Sequence, residues 1–380
     1  MSEGARTIRV LVVDDSPSVR AVLRRFFSWT DDLRVVGEAA DGGAAVERAL
    51  ELVPDVILMD LLMPGMDGYQ AIEQIMRRAP TPILVLSAKA NRNQVHTAFE
   101  AMRRGAVEVL PKPEDTEAWR SMAESLPQMI REIVGSRRGN VGAPAAEPVP
   151  SRPRRTAPAP PAEAEEPDDD DDAPRRDLRW LAIGASTGGP AAVCDLLAAL
   201  PPRPPFAALV VQHISPGFEL GLVDWLNAAL PLDVKVARDG EVAAPGAVRL
   251  APPGAHLHLA ADGRLELDRV TPPWRSHRPA VDELFFSCAR TVPRQVAAAL
   301  LTGMGTDGVQ GLAQLAHAGA LTYVQDEATS VVYGMPRAAL ERGAARRALP
   351  PAEIGRRIGR HYAYPGDAPA GGRAARRRGR

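Results

Sequence analysis

One serine in the C-terminal half of the chain has the surroundings of a hydrolytic nucleophile. Ser186 is the centre of the pentapeptide GASTG at 184–188, which directly follows the apolar run 180–183 and precedes a helix-like stretch, 191–200. A short apolar run indicates a buried strand, and Gly-x-Ser-x-Gly between a strand and a helix is the pattern of a nucleophile elbow. The sharp turn lifts the serine hydroxyl off the sheet, and the flanking glycines let the backbone bend. The sequence therefore predicts hydrolysis through Ser186.

A histidine and an aspartate follow two further apolar runs. His213 comes after the run 207–211, and Asp307 comes after the run 297–301. Because parallel strands end at one edge of a sheet, we expect both side chains to meet the serine there. A neutral imidazole can take the serine proton, and a carboxylate can orient that imidazole. The chain order Ser, His, Asp differs from the Ser, Asp, His order of α/β-hydrolases, so this triad would lie on a different scaffold.

Other interpretations of the glycines and histidines are disfavoured by their spacing. Residues 184–189 lack the glycine pattern of a dinucleotide site, since Ser186 stands where a glycine is needed, and they lack the lysine of a Walker A loop. His256 and His258 share a face of an apparent strand, but no Cys or carboxylate cluster with ligand spacing supports a metal pair. His277 is a candidate for the rim of the site.

Polar side chains also mark successive strand ends in the N-terminal half. They are Asp14, Asp15, Asp60, Ser87 and Lys112. Three converging carboxylates would repel one another unless a cation lies among them, and oxygen ligands suit Mg²⁺. A lysine and a hydroxyl beside them would complete a phosphoryl site. We therefore expect Mg²⁺ in the first domain and no cofactor in the second; ordinary polar loop residues are the weaker alternative.

Apolar runs alternating with helix patterns predict two α/β domains. Residues 7–134 contain five β-α units, which imply a doubly wound, five-stranded parallel sheet. Residues 135–177, rich in proline and charge and including an aspartate run, are predicted to be a disordered linker. Residues 178–365 are predicted to form an α/β domain with a mostly parallel sheet, and 366–380 a disordered basic tail.

The composition of the 380-residue chain limits the class of protein. A hydrophobic content of 45% and a net charge of −1 fit a globular protein without a field for nucleic acid or an anionic membrane. Cys194 and Cys288 are far apart, so we expect reduced core thiols rather than a disulfide framework. No signal sequence or bilayer-length apolar stretch is found, and we expect a cytoplasmic protein without membrane insertion.

The first domain resembles the receiver domain of two-component response regulators. The stretch VILMDLLMPGMDG at 56–68 is close to the family pattern around the phosphorylated aspartate. The resemblance implies that Asp60 accepts phosphate from a histidine kinase, that Asp14, Asp15 and Asp60 hold Mg²⁺, and that Ser87 and Lys112 read the phosphorylated state. Three residues before the lysine, where receivers usually have an aromatic residue, this chain has Val109. An aromatic rotamer switch is therefore not expected.

The second domain resembles the methylesterase domain of chemotaxis response-regulator protein-glutamate methylesterases. The matching motifs are IGASTGG at 183–189, VQH at 211–213, PGF at 216–218, RPAVD at 278–282, LTGMGTDG at 301–308 and GMP at 334–336. The resemblance implies a triad of Ser186, His213 and Asp307, with Thr187 and the Met304 backbone beside the serine and the oxyanion. The sequence His213-Ile214-Ser215 replaces the usual His-Met-Pro.

The two resemblances together imply a phosphorylation-activated serine hydrolase. Its substrates would be glutamate methyl esters, and also glutamines, on the cytoplasmic helices of methyl-accepting chemotaxis receptors. A long, proline-rich linker lowers the effective concentration of one domain near the other, so we expect weaker autoinhibition than in a relative with a short linker. A signalling adaptor with an inactive esterase fold and a DNA-binding response regulator are the two rival hypotheses. The complete set of triad residues disfavours the first, and the lack of a helix-turn-helix pattern disfavours the second.

Overall fold

The computed structural model describes residues 7–87, 99–139, 178–345 and 347–361. The predicted tail 366–380 and most of the predicted linker lie outside these ranges. None of the described helices is both long enough and apolar enough to cross a membrane.

The N-terminal domain is an open parallel sheet with helices between its strands. Its elements are β1 (Ile8–Val13), α1 (Pro17–Phe27), β2 (Leu33–Ala39), α2 (Gly42–Leu52), β3 (Val56–Asp60), α3 (Gly68–Arg78), β4 (Ile83–Ser87), α4 (described over 99–103), β5 (Glu108–Pro111) and α5 (Thr116–Gly139). The strand order is β2-β1-β3-β4-β5, and each neighbouring pair is parallel. Side chains of Ser16, Asp41 and Asp67 accept hydrogen bonds from the first turns of α1, α2 and α3, which fixes where those helices begin. The predicted doubly wound, five-stranded sheet is therefore confirmed.

Helix α5 continues past the domain end expected at residue 134. It runs to Gly139, so the first residues of the predicted linker are helical. The Ser136 hydroxyl accepts a hydrogen bond from the Tyr333 N–H at 3.4 Å. The extension thus reaches the second domain, a contact that the linker composition did not indicate.

The C-terminal domain is built on a seven-stranded sheet. Its elements are β6 (Trp180–Ala185), α6 (Gly189–Ala198), β7 (Ala207–Gln212), α7 (Glu219–Ala229), β8 (Asp233–Val236), β9 (Ala247–Leu250), β10 (His256–Leu259), β11 (Leu265–Asp268), α8 (Val281–Thr291), β12 (Val296–Leu300), α9 (Val309–His317), β13 (Leu321–Gln325), α10 (Met335–Glu341), β14 (Arg347–Leu349) and α11 (Pro351–His361). The sheet order is β14-β13-β12-β6-β7-β9-β8, with β10 and β11 as a separate antiparallel pair.

The central strands of this second sheet are apolar throughout. Every residue of β6, β7 and β12 is buried, as expected for a parallel sheet that helices cover on both faces. All paired strands of the seven-stranded sheet are parallel. The chain enters at β6, builds outward through β7, and later returns to place β12 on the other side of β6. This reversal puts a crevice beyond the carboxyl ends of β12, β6 and β7.

The two domains pack against each other beside that crevice. Phe99 of α4 is 1% exposed, and its ring centroid lies 6.4 Å from that of Phe218 and 6.2 Å from that of Trp225. Val332 is part of the apolar cluster formed by α5 and the N-terminal sheet, and Met304 packs on the same cluster. The N-terminal domain therefore contacts loops that follow strands of the C-terminal sheet.

Candidate active site

The three residues singled out for hydrolysis lie on loops that follow three neighbouring strands. Ser186 follows β6, His213 follows β7 and Asp307 lies in the loop after β12. Since β12, β6 and β7 are adjacent in the sheet, their carboxyl ends bring these loops to one crevice.

Backbone contacts tie these loops together. The Ser186 N–H donates to the carbonyl of Thr302 at 3.0 Å, and the His213 N–H donates to the carbonyl of Ala185 at 2.9 Å. A Cβ added to Gly303 would lie 2.6 Å from the Cβ of Ser186, so only glycine permits this approach. The glycine after Thr302 is thus required by packing against the serine.

Asp307 is a buried carboxylate held by four donors. Its Oδ2 contacts His213 Nε2 at 2.8 Å and accepts from the Val281 N–H at 2.8 Å. Its Oδ1 accepts from the N–H groups of Asp282 and Gly308, each at 2.9 Å. Burial opposes ionisation, but the bond to His213 and the backbone N–H groups hold the pKa of Asp307 below its usual range. The N-terminus of α8 therefore helps to keep this carboxylate charged.

This pairing determines which nitrogen of His213 can act as a base. With Nε2 donating to Asp307, the lone pair lies on Nδ1, which is buried and makes no hydrogen bond within the described residues. The Ser186 hydroxyl likewise has no hydrogen-bond partner in the described part of the chain. The structure thus brings the imidazole and the carboxylate into contact and leaves the serine and Nδ1 unpaired. In ligand-free hydrolases the hydrogen bond between the serine hydroxyl and the imidazole is often long, and it tightens only when substrate is bound.

A second histidine stacks on His213. The ring of His277 lies 3.8 Å from it, centroid to centroid, with an interplanar angle of 7°. Burial lowers the pKa of His277 to about 4, so the stacked ring is neutral at pH 7. The sequence indicated only a rim position for His277. Its place immediately before the segment 278–282, which leads into α8, was the available signal.

A tight turn positions the stacked ring. Trp274 and His277 exchange backbone hydrogen bonds of 2.9–3.0 Å, and both residues between them, Arg275 and Ser276, have positive φ of 49° and 72°. Such a turn is costly for residues other than glycine, so it must be held in place. The Trp274 indole N–H provides this support by donating to the fully buried carboxyl of Asp282 at 2.9 Å.

Free backbone donors lie next to the serine. The N–H groups of Thr187 and Met304, predicted to lie beside the oxyanion, donate no hydrogen bond within the described residues. The side-chain amide of Gln212 donates to the carbonyls of Ser186 (2.7 Å) and His213 (2.9 Å), and so joins the two loops. The unpaired N–H groups of Thr187 and Met304 are of the type that stabilises negative charge on an acyl oxygen.

The acidic residues of the N-terminal domain also meet. Carboxylate oxygens of Asp14, Asp15 and Asp60 lie within 4.8 Å of one another. Lys112 Nζ contacts Oδ2 of Asp14 at 2.8 Å and Oδ2 of Asp60 at 2.7 Å. The Lys112 N–H donates to the carbonyl of Ser87, which places the lysine and the serine on adjacent strand ends.

The donor set of this acidic cluster fits a hard divalent cation. Burial, with a smaller contribution from the nearby charge of Asp60, raises the pKa of the Asp14 carboxyl, although Lys112 opposes this shift. Burial works against the charge of Lys112, but its hydrogen bonds to Asp14 and Asp60 raise its pKa. Three oxygen ligands without nitrogen or sulfur suit Mg²⁺, which would neutralise the excess negative charge.

The two histidines of β10 are engaged in protein contacts. His256 is fully buried; its Nε2 lies 3.2 Å from the Pro272 carbonyl, and its Nδ1 accepts from the Ala280 N–H. His258 Nε2 lies 3.1 Å from Glu283 Oε2. These contacts support the segment before α8 rather than a metal pair.

Known families match both domains. The description "CheB methylesterase" matches residues 181–358, and "Response regulator receiver domain" matches residues 10–124.

Relatives match nearly the whole chain. Protein-glutamate methylesterase/protein-glutamine glutaminase 3 of Myxococcus xanthus is 42% identical over 92% of this chain and 92% of its own. The corresponding protein 2 of Anaeromyxobacter dehalogenans is 41% identical over 94% of this chain and 98% of its own. Protein 4 of Geobacter metallireducens is 39% identical over 91% of this chain and 96% of its own. The chain therefore belongs to the protein-glutamate methylesterase/protein-glutamine glutaminase family, as an ester hydrolase with an N-terminal receiver domain.

Proposed function

We propose that the chain is a phosphorylation-activated serine hydrolase that demethylates glutamate methyl esters on methyl-accepting chemotaxis receptors. It would also deamidate receptor glutamines by the same acyl chemistry. The observation that carries the proposal is the 2.8 Å contact between His213 and the buried Asp307, on the same crevice as Ser186. In such a pair the imidazole can accept the proton of a nearby hydroxyl, and the carboxylate stabilises the imidazolium that forms.

The reaction would proceed through an acyl-enzyme. Ser186 Oγ attacks the ester carbonyl while His213 Nδ1 takes its proton, and a tetrahedral oxyanion forms. The N–H groups of Thr187 and Met304 would donate to that oxyanion. Collapse breaks the bond to the methoxy oxygen, and the imidazolium gives its proton to the departing methanol.

Water completes the cycle. His213 removes a proton from a water molecule that attacks the acyl carbon, and the same proton then returns to Ser186 Oγ as the glutamate leaves. With a glutamine substrate the first leaving group would be ammonia, and the second step is unchanged.

Asp307 would stay ionised throughout. Its role is to fix the tautomer of His213 and to stabilise the imidazolium, a role consistent with its lowered pKa and four donors.

The receiver would control access to the crevice. Its α4 and α5 contact the C-terminal domain beside the loops of the site, so substrate helices would reach Ser186 only when the contact loosens. Phosphate from a histidine kinase on Asp60 would be the signal. Asp14, Asp15 and Asp60 would hold Mg²⁺, which supplies charge neutralisation for phosphoryl transfer, and Lys112 and Ser87 would read the phosphoryl group. Both the substrate helices and the kinase imply a cytoplasmic location.

Methanol release tests this proposal. The full chain is incubated with methylated receptor, with and without a small-molecule phosphodonor, beside the variants Ser186→Ala and Ser28→Ala. Ser28 is an exposed serine at the end of α1, far along the chain from the crevice, and serves as the matched control. We expect release by the wild type and Ser28→Ala, more with phosphodonor, and none by Ser186→Ala. Receptor binding without methanol release by the wild type would instead support the adaptor hypothesis.

A further inference from the structure

One receiver residue reaches directly to the nucleophile loop. Glu108, the first residue of β5, accepts a hydrogen bond through Oε2 from the Gly188 N–H at 3.0 Å. Its Oε1 accepts from the N–H of the next residue, Val109, at 3.1 Å. Gly188 lies two residues after Ser186 and is the N-cap of α6. A carboxyl group of one domain therefore caps the helix that follows the nucleophile of the other.

The N-cap residue of α6 has no side chain that could accept a hydrogen bond at the start of the helix. Gly188 has φ of +75°, and a Cβ there would lie 2.5 Å from Val331, so strain and packing both require glycine. A glycine has no side chain to accept from the first N–H groups, and α6 has no side-chain cap of its own. Glu108 accepts instead from the N–H of the N-cap residue itself, as the glutamate of a capping box does, and the positive end of the helix dipole favours its oxygen atoms.

The strand that begins at Glu108 leads directly into the lysine proposed to read the phosphoryl group. Strand β5 runs from Glu108 to Pro111, and Lys112 follows directly, with its Nζ on Asp14 and Asp60. Parallel pairing to β4 in regular register makes these residues one rigid segment, about 13 Å long at roughly 3.3 Å per residue. A phosphoryl group on Asp60 would displace Lys112 Nζ from its present contact with Asp60 Oδ2, and a backbone shift at Lys112 would move the whole strand.

Val109, the residue next to Glu108, cannot couple the domains as an aromatic side chain at this position would. Val109 is 5% exposed and packs in the apolar core, on the opposite face of the strand from Glu108. A small buried side chain cannot swing outward as a signalling rotamer. The residue of β5 that touches the esterase by a hydrogen bond is Glu108.

We propose that Glu108 is the latch between the two domains: its carboxyl group caps α6 at Gly188 in the unphosphorylated chain, and phosphorylation of Asp60 withdraws it through β5. This inference rests on the proposed function and names the contact by which that control is exerted. Release of the latch frees the loop at Ser186 and opens the crevice to a receptor helix.

Substitution of Glu108 in the full chain tests the latch. Initial rates of methanol release are measured with and without phosphodonor for the wild type, Glu108→Ala, Glu108→Gln and Glu124→Ala. Glu124 is an exposed glutamate on α5 and serves as the matched control. Glu108→Ala should raise the unphosphorylated rate about tenfold, the change expected when the Gly188 N–H loses its one acceptor across the domain contact. Glu108→Gln keeps an oxygen that can accept from Gly188 and should stay close to the wild type, as should Glu124→Ala.

Hydrogen exchange of the peptide that spans 184–193 gives a reading independent of turnover. The Gly188 amide should exchange faster in Glu108→Ala, and in the phosphorylated wild type, than in the unphosphorylated wild type.

The outcomes separate the latch from the proposed function. If phosphodonor activates the wild type while Glu108→Ala keeps the wild-type basal rate and exchange, the latch is wrong and the proposed function stands. If phosphodonor does not activate the wild type, the proposed control fails and the release step fails with it. If Glu124→Ala is activated as strongly as Glu108→Ala, the effect is a general loosening of the receiver and the latch is overturned.

Discussion

Replacement of Asp307 by asparagine should remove activity through the tautomer of His213. In the wild type, each oxygen of the Asp307 carboxylate accepts from two donors. In the asparagine variant, the amide NH₂ replaces one of these oxygens and therefore faces at least one backbone N–H. With the NH₂ toward the helix, both Asp282 and Gly308 lose an acceptor; with the NH₂ toward His213, only Val281 does. The second orientation costs less, since each buried unsatisfied donor costs about 1–3 kcal/mol.

That preferred orientation disables the base. The NH₂ group donates to His213 Nε2, so the imidazole proton moves to Nδ1, where the lone pair is needed for Ser186. A wrong-tautomer triad of this kind loses about 10⁴-fold in kcat, while the fold loses only the roughly 1–3 kcal/mol of one donor.

The assay is steady-state methanol release from phosphorylated full-length chain, beside thermal unfolding of the same samples. Asp262→Asn is the matched control, because Asp262 is an exposed aspartate between β10 and β11. We expect kcat of Asp307→Asn to fall about 10⁴-fold, with a modest drop in Tm and an unchanged Asp262→Asn. A folded Asp307→Asn chain with kcat within tenfold of the wild type would refute the role given to this carboxylate.

Three further predictions follow from the site and the domain contact. Replacement of His277 by alanine should lower kcat up to about tenfold through loss of ring stacking, with KM little changed, whereas His277→Phe should retain most of the rate and the pH profile; equal losses in both would argue against a stacking role. Burial raises the pKa of Glu108 from 4.5 to about 7, so the docked state, in which Glu108 contacts Gly188, holds the carboxyl proton more tightly than the undocked state. Docking is therefore fully favoured below about pH 4.5 and weakens as pH rises through 7. The unphosphorylated wild-type rate, divided by that of Glu108→Ala to cancel the pH dependence of catalysis, should therefore rise about tenfold between pH 6 and pH 8; a flat ratio contradicts this linkage. Chelation of divalent cations should abolish activation by phosphodonor and leave the unphosphorylated rate unchanged; activation that survives chelation would exclude the acidic cluster as a Mg²⁺ site.

Residues at strand ends were predictable because a buried parallel strand is easy to detect. Apolar runs before Ser186, His213 and Asp307 locate the strand ends within a residue or two, and parallel topology then brings the loops together. The same reasoning placed Asp14 and Asp60 side by side in the first domain.

Contacts that depend on tertiary packing were not predictable. Stacking of His277 on His213 requires a strained turn held by a buried carboxyl of α8, and no local pattern specifies that combination. Capping of α6 by Glu108 depends on how two domains dock, which the periodicity of either domain does not contain. The extension of α5 to Gly139 was hidden by the proline-rich composition of the residues that follow it.

The most direct test of the central claim is covalent labelling of the nucleophile. A fluorophosphonate probe, which forms a bond to an activated serine oxygen with loss of fluoride, is added to phosphorylated wild-type chain, and the modified peptide is identified by mass spectrometry. The account predicts a single adduct on Ser186, strongly reduced in Asp307→Asn and absent in Ser186→Ala. Methanol release by a wild-type chain whose label lies on another residue, or full activity with Ser186 unmodified under saturating probe, would contradict it.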